Sequence, residues 1–382
     1  MKIVLRSIAV LILASIAQVS VAAKYSFSIL PTLGGETAVA NSINIQGQIV
    51  GRSELVRIDG NFGNLHAALW KNGTVTDLSP SEWLTVAYDI NDDGTAVGMR
   101  HTDFDERGDA PLIWKNSVQS NLPGLYGSSG NGAALAINNT GLIVGRLTKL
   151  IQQSDGPCVC SVPVQWSDAG VKIIGGNIGD LPGMAIDINS SGQIIGQSTF
   201  QNGVTGSAFW ESADATPKQI NAAVAALNDS GVVVGTLNYR PVYWESDNLV
   251  ELPTLGGNFG NAYAINNAGW IVGQSKVKDS NWFHATLWID GIATDLNDFL
   301  SESDAKIWEL THASDINEQG AIVGMAVNRS TRQGAAFLLT SPVPETSTFS
   351  LMFLGLIAIS HLASVRRQSL VAVRCERIES KI

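Results

Sequence analysis

The chain has 382 residues, 45% of them hydrophobic and 15% charged, with a formal net charge of −10 at pH 7. This composition excludes a disordered, highly charged chain. The basic residues gather at the C-terminal end, so the body of the chain is more acidic than the total, which argues against a nucleic-acid partner.

Residues 1–23 read as a signal peptide. Lys2 and Arg6 precede the apolar stretch Ile8–Ala17, which is too short to span a bilayer comfortably, and Val21-Ala22-Ala23 is a small-residue cleavage site. The mature protein is therefore expected outside the cytoplasm. Tyr25–Leu33 follows as a strand with no sequence neighbour to pair with.

From there to about residue 341 one unit recurs. It is clearest at Ala262–Leu296, which holds four short runs rich in β-branched and aromatic residues, separated by Gly, Asn and Asp. The core Ile-Asn-x-x-Gly (Leu-Asn in the fifth unit) occurs seven times, at Asn44, Asn91, Asn138, Asn189, Asn228, Asn266 and Asn317. Its glycines are Gly47, Gly94, Gly141, Gly192, Gly231, Gly269 and Gly320. Asn and Gly suit this turn because both tolerate φ > 0. A second glycine closes the second strand of each unit, from Gly51 to Gly324. A tryptophan ends the third strand in six units (Trp70, Trp114, Trp166, Trp210, Trp244 and Trp288), and Leu339 stands there in the seventh.

A period near 45 residues with four strands per unit predicts a β-propeller blade. The seventh unit lacks a fourth strand. Tyr25–Leu33 resembles the fourth-strand segment Leu249–Leu255, so the N-terminal strand is expected to complete the last blade and close the ring. The fold class is thus an all-β, seven-bladed propeller over residues 24–341.

The end of the chain differs in kind. Pro342–Thr346 leads into Phe349–Val365, an apolar run of 17 residues followed by Arg366 and Arg367. It reads as a C-terminal transmembrane helix whose arginines stay on the cytoplasmic side.

Several groups are candidates for chemistry. Asp89, Asp187 and Asp315 each precede the Ile-Asn pair of their unit. On an innermost strand they would face the central channel and hold a cation such as calcium, or else satisfy backbone amides of their own turns. His66 and His284 occupy equivalent positions in units one and six, either bracing a blade or acting as a base or ligand, although no local carboxylate spacing marks a partner. Cys158 and Cys160 would pair as a staple in a sharply bent loop, while Cys375 lies beyond the apolar run. Asp103–Asp109 begins like a calcium loop but places Arg107 at a ligand position. The tryptophans are core residues, of which one or two are free to stack on sugar. The segments Glu54–Asn64, His101–Asp109 and Thr148–Pro163 are the variable loops that would set a ligand.

The unit, with His66-Ala67-Ala68-Leu69-Trp70 and His284-Ala285-Thr286-Leu287-Trp288 as its most complete third strands, resembles the HAF repeat of bacterial extracellular repeat proteins. That resemblance implies secretion. The tail Val343-Pro344-Glu345-Thr346, apolar helix and arginine cluster resembles a PEP-CTERM sorting signal, with Thr346 where a second proline is usual and fifteen residues after Arg367. This second resemblance implies a Gram-negative, exopolysaccharide-producing host. It also implies transient anchoring in the inner membrane, an exosortase-type processing enzyme as partner, and delivery to the cell surface or extracellular matrix. The expected function is a non-enzymatic propeller binding polysaccharide or protein. The rival is a propeller-fold glycan hydrolase or lyase, which would need two carboxylates about 5–10 Å apart on one face.

Overall fold

A computed structural model describes residues 25–341, apart from 57–63, 102–108, 126–129, 154–155, 176–181, 201 and 281 and the side chains of 151–153, 157 and 158. The expected signal peptide (1–23) and the expected transmembrane segment (349–365) lie outside the described residues. Among the described residues no helix is long and apolar enough to cross a membrane.

The chain opens with β1 (Ser26–Ile29). Blade one holds β2 (Gly34–Ile43), β3 (Ile49–Leu55), β4 (Leu65–Lys71) and β5 (Thr74–Asp77). Blade two holds β6 (Thr85–Ile90), β7 (Ala96–Arg100), β8 (Ala110–Lys115) and β9 (Val118–Asn121). Blade three holds β10 (Gly132–Ile137), β11 (Ile143–Gln153), β12 (Gly156–Ser167) and β13 (Gly170–Ile173). Blade four holds β14 (Gly183–Ile188), β15 (Ile194–Thr199), β16 (Thr205–Trp210) and β17 (Lys218–Ile220). Blade five holds β18 (Ala223–Leu227), β19 (Val233–Leu237), β20 (Arg240–Glu245) and β21 (Asn248–Glu251). Blade six holds β22 (Gly256–Ile265), β23 (Ile271–Val277), β24 (Phe283–Ile289) and β25 (Ile292–Asp295). After a 3-10 turn and α1 (Glu302–Ile307), blade seven holds β26 (Trp308–Ile316), β27 (Ile322–Asn328) and β28 (Gly334–Thr340).

Each blade is a four-stranded antiparallel sheet in sequence order. Blade seven takes its fourth strand from the N-terminus: β1 pairs antiparallel with β28, Ser26 opposite Thr340 and Ile29 opposite Phe337. The first strands of successive blades neighbour one another all the way round, and β2 also meets β26. The molecule is therefore an all-β, seven-bladed propeller closed by its N-terminal strand.

The ring is held by seven apolar clusters, one at each junction between blades; one example joins Ile49, Ala68 and Trp70 of blade one to Val323 and Ala336 of blade seven. Trp70, Trp114, Trp166, Trp210 and Trp288 are buried in them, whereas Trp244 is only partly buried, against Phe209. Four of the buried indoles donate to a carbonyl just after the preceding fourth strand: Trp70 to Pro31, Trp114 to Leu78, Trp166 to Pro123 and Trp288 to Pro253, at 2.6–3.0 Å.

The glycines act differently from the sequence expectation. Those at the turn do take φ between +72° and +84°, but the turn asparagines do not enter the left-handed region. The second glycines lie inside the second strand rather than at its end. Each faces a β-bulge in the first strand, such as the extra residue Tyr263 between Ala262 and Ala264. There a Cβ would sit 1.9–2.2 Å from a first-strand carbonyl oxygen in all seven blades, so only glycine fits.

Candidate functional site

The first strands end on one face of the ring, and their turns are fused into a closed circle of hydrogen bonds. Each turn asparagine accepts the backbone N–H four residues on, at 2.9–3.0 Å. Each then donates its Nδ2 to the backbone carbonyl of the asparagine in the next blade: Asn44 to Asn91, on through Asn138, Asn189, Asn228, Asn266 and Asn317, and back to Asn44, at 2.9–3.3 Å. All seven are buried. The asparagine is thus selected for its side-chain amide, which satisfies polar groups that the tight axis shuts off from water.

The three sequence-nominated aspartates sit in the same layer. Asp89 accepts from the amides of Ile90 and Ile137 and from the Ser42 hydroxyl, each at 2.8 Å. Asp187 accepts from Ile188 and Leu227 at 2.8 and 2.9 Å. Asp315 accepts from Ile316 and Ile43, both at 2.8 Å, the latter bond crossing the closure of the ring. Both oxygens of every carboxylate are engaged, one within its own blade and one to the next blade, a bridge that the sequence does not reveal. Among the described residues no three His, Cys, Asp or Glu side chains gather closely enough to hold a metal ion. Burial, with the Asp89 charge adding to it, raises the carboxyls of Asp187 and Asp315 to about 7; for Asp315 the bond from Ile43 partly opposes the rise. Burial also raises Asp89.

Outside this layer a second set of bonds runs between turns. Asp92 accepts from the Ile45 amide, Asp229 from Ser190, and Glu318 from Asn267, at 2.8–3.0 Å. A shallow cavity of about 190 Å³ on the axis is lined by all seven turns. A larger one, about 510 Å³, lies between blades two and three against Trp166 and Leu142.

The opposite face carries the connections between second and third strands. Here the structure supplies the partners that the sequence reading of the histidines lacked. His66 on β4 meets Asp77 at the end of β5 at 2.8 Å, and His284 on β24 meets Asp295 at the end of β25 at 2.5 Å, both Nδ1 to carboxylate. Each aspartate also caps the chain that follows, through Ser79 or Asn297. A signal was present: Thr-Asp-Leu occurs only at 76–78 and 294–296, in the two units that keep the histidine. The two pairs then diverge. Nε2 of His66 is buried and makes no hydrogen bond. Nε2 of His284 meets Glu309 at 3.2 Å, and Glu309 meets Arg329 at 3.2 Å. The Asp295 hydrogen bond raises the His284 imidazole above its usual value. Burial alone would raise Asp295, but the bonds from His284 and Asn297 outweigh it and hold this carboxyl low.

The variable segments are partly regular. Thr148–Pro163 is no loop but a long hairpin, β11 on β12, paired out to Gln153 and Gly156. Cys160 lies on that straight strand, not in a bent loop, and is disulfide-bonded. Glu54–Asn64 and His101–Asp109 fall mostly outside the described residues, although His101 and Asp109 meet at 2.8 Å. Among the described residues three aromatic rings stand exposed on the loop face: Trp83 at 69%, Tyr239 at 68% and Trp282 at 56%.

Residues 34–156, which cover blade one, blade two and part of blade three, match a protein family of unknown function (DUF3466). No curated protein matches the chain. Among solved structures, the β-propeller domain of the Trilobed protease from Pyrococcus furiosus, with its open velcro topology, is similar at a TM-score of 0.53 and 8% identity, over 80% of this chain and 94% of that one. A puromycin-hydrolyzing peptidase from Mycobacterium tuberculosis is similar at a TM-score of 0.50 and 10% identity, over 84% of this chain and 57% of its own length. This chain therefore spans little more than half of that peptidase, and at such identities the likeness is one of fold.

Proposed function

We propose that this protein is a non-enzymatic binding propeller of the bacterial cell surface or extracellular matrix, whose loop face takes a polysaccharide or a surface protein. The observation that carries this reading is the contrast between the faces. The turn face commits its buried polar groups to holding blades together. The loop face presents Trp83, Tyr239 and Trp282, each more than half exposed, and exposed rings on rigid supports suit recognition. The signal-like leader and sorting-like tail agree with that location, with an exosortase-type enzyme as the processing partner.

One observation favours the rival glycan hydrolase or lyase: His284, Asp295 and Glu309 meet near the loop face. Both nitrogens of His284 are already occupied by carboxylates, which leaves this imidazole no free nitrogen with which to take a proton from a substrate. The test is to incubate the purified protein with polysaccharide from an exopolysaccharide-producing host, with calcium and with chelator, and then to measure binding and size the glycan. Binding with the glycan intact supports the proposal, and shortened glycan overturns it. The engaged axial aspartates lead us to expect equal binding with and without calcium; a calcium requirement would return Asp89, Asp187 and Asp315 to the role of ligands.

A further inference from the structure

On the loop face of blades five to seven, aromatic rings and cations form a run made of two packed groups. Tyr239 packs on Phe259 with ring centroids 4.9 Å apart. The Lys276 ammonium lies 4.8 Å from the Phe259 centroid and 5.7 Å from that of Phe283. In the second group the ring of Trp282, the residue before Phe283 in the chain, lies 4.5 Å from the Arg332 guanidinium. These residues come from four separate segments: the β19–β20 turn, the start of β22, the stretch from the end of β23 to the start of β24, and the β27–β28 connection.

Three features bear on what this run can bind. First, its cations lie over rings and, among the described residues, neither Lys276 nor Arg332 has a carboxylate within ion-pair distance. Two cations held over rings rather than against acids keep their charges available to an anionic ligand. Second, two of its rings stay open, Tyr239 and Trp282, the latter 56% exposed even with Arg332 against it, while Phe259 and Phe283 are half-buried. Third, Tyr239 holds φ +65° in a two-residue turn after Asn238, where glycine is the usual occupant. A bulky side chain in the left-handed region is costly, and such strain concentrates at functional positions.

We propose that this run binds an anionic polysaccharide, the rings stacking on the apolar faces of sugar units and Lys276 and Arg332 meeting their carboxylates; the inference rests on the binding function proposed above. Charge complementarity selects an acidic glycan over a neutral one. The acidic body of the protein disfavours nucleic acid, whose charges are far denser.

The experiment is a calorimetric titration of the full-length purified protein with alginate oligosaccharide, neutral dextran oligosaccharide and poly-glutamate. The variants are Trp282→Ala and the double charge reversal Lys276→Glu/Arg332→Glu, with Trp282→Phe as a conservative control and circular dichroism to verify folding. Alginate binding that falls at least tenfold in Trp282→Ala, is abolished by the double reversal and is largely kept in Trp282→Phe supports the proposal. Alginate binding unchanged in the variants overturns this site while leaving the general binding function standing. Dextran or poly-glutamate bound as tightly as alginate overturns the anionic-glycan assignment. No binding to any glycan overturns this site and the polysaccharide half of the proposed function, leaving a surface protein as the ligand.

Discussion

Gly273 faces the bulge at Tyr263, and a Cβ there would lie 2.0 Å from the Asn261 carbonyl oxygen. Backbone cannot yield as a flexible side chain can, so Gly273→Ala is expected to destabilise by about 2–4 kcal/mol. Gly269, in the turn of the same hairpin, has open space around it and only its φ of +79° to protect. Gly269→Ala should therefore cost about 1–2 kcal/mol. Urea midpoints of the two variants test this ranking. The Asn138 side chain links blades three and four, donating to the Asn189 carbonyl and accepting from the Leu142 amide. Asn138→Ala strands both and should cost about 2–4 kcal/mol. Asn138→Asp keeps the acceptor but loses the donor, so it should not rescue the variant. A destabilisation below about 1 kcal/mol for either Asn138 variant would show that the circle contributes little.

The first strands carry their aspartates to the rim of the axial cavity, partly buried and bonded to backbone amides, and this couples the blade hairpins to pH. Asp187 and Asp315 titrate near 7 in the folded chain, against a reference value of 3.8. The folded state therefore binds these protons more tightly than the unfolded state does. Their contribution to stability is complete below pH 3.8 and is lost as pH rises through about 7. The raised imidazole of His284 acts in the same direction, losing its contribution as pH rises through its folded value. Asp295 is held low, so its contribution is present above 3.8 and fades only as pH falls through its lowered value. Stability should accordingly be higher at pH 5 than at pH 8, by roughly a few kcal/mol. Asp315→Asn should flatten that dependence while lowering stability overall, because an amide nitrogen cannot accept from the Ile43 N–H. Equal urea midpoints at pH 5 and pH 8 in the unmodified protein would contradict this account.

The whole ring depends on one non-local pairing. Four residues of β1 join β28, with Phe27 against Phe337 and Leu30 in the junction between blades seven and one. Removing residues 25–33 would expose β28 as a bare edge, strip the buried Leu30 at roughly 1.5–3 kcal/mol, and strip the half-buried Phe27 and Ile29 at less than that each. The shortened protein is expected to unfold at a markedly lower temperature and to self-associate, and a peptide spanning 25–33 added in trans should restore part of the loss. Unchanged melting and a monomeric state would show that the ring closes without β1.

Repetition made the architecture legible. Seven copies of Ile-Asn-x-x-Gly with a trailing tryptophan set strand length, strand order and blade number, and the missing fourth strand of the last copy set the closure, because each depends only on spacing along the chain. The sequence likewise marked Asp89, Asp187, Asp315, His66 and His284 as worth attention. It could not assign their partners, since Asp315 bonds to Ile43 across the closed ring and Glu309 reaches His284 from the next blade. Nor could it assemble Tyr239, Phe259, Lys276, Trp282 and Arg332 into one surface. Each side chain lies on a different turn or strand end, and only the packing of blade against blade brings groups so distant in sequence within bonding range.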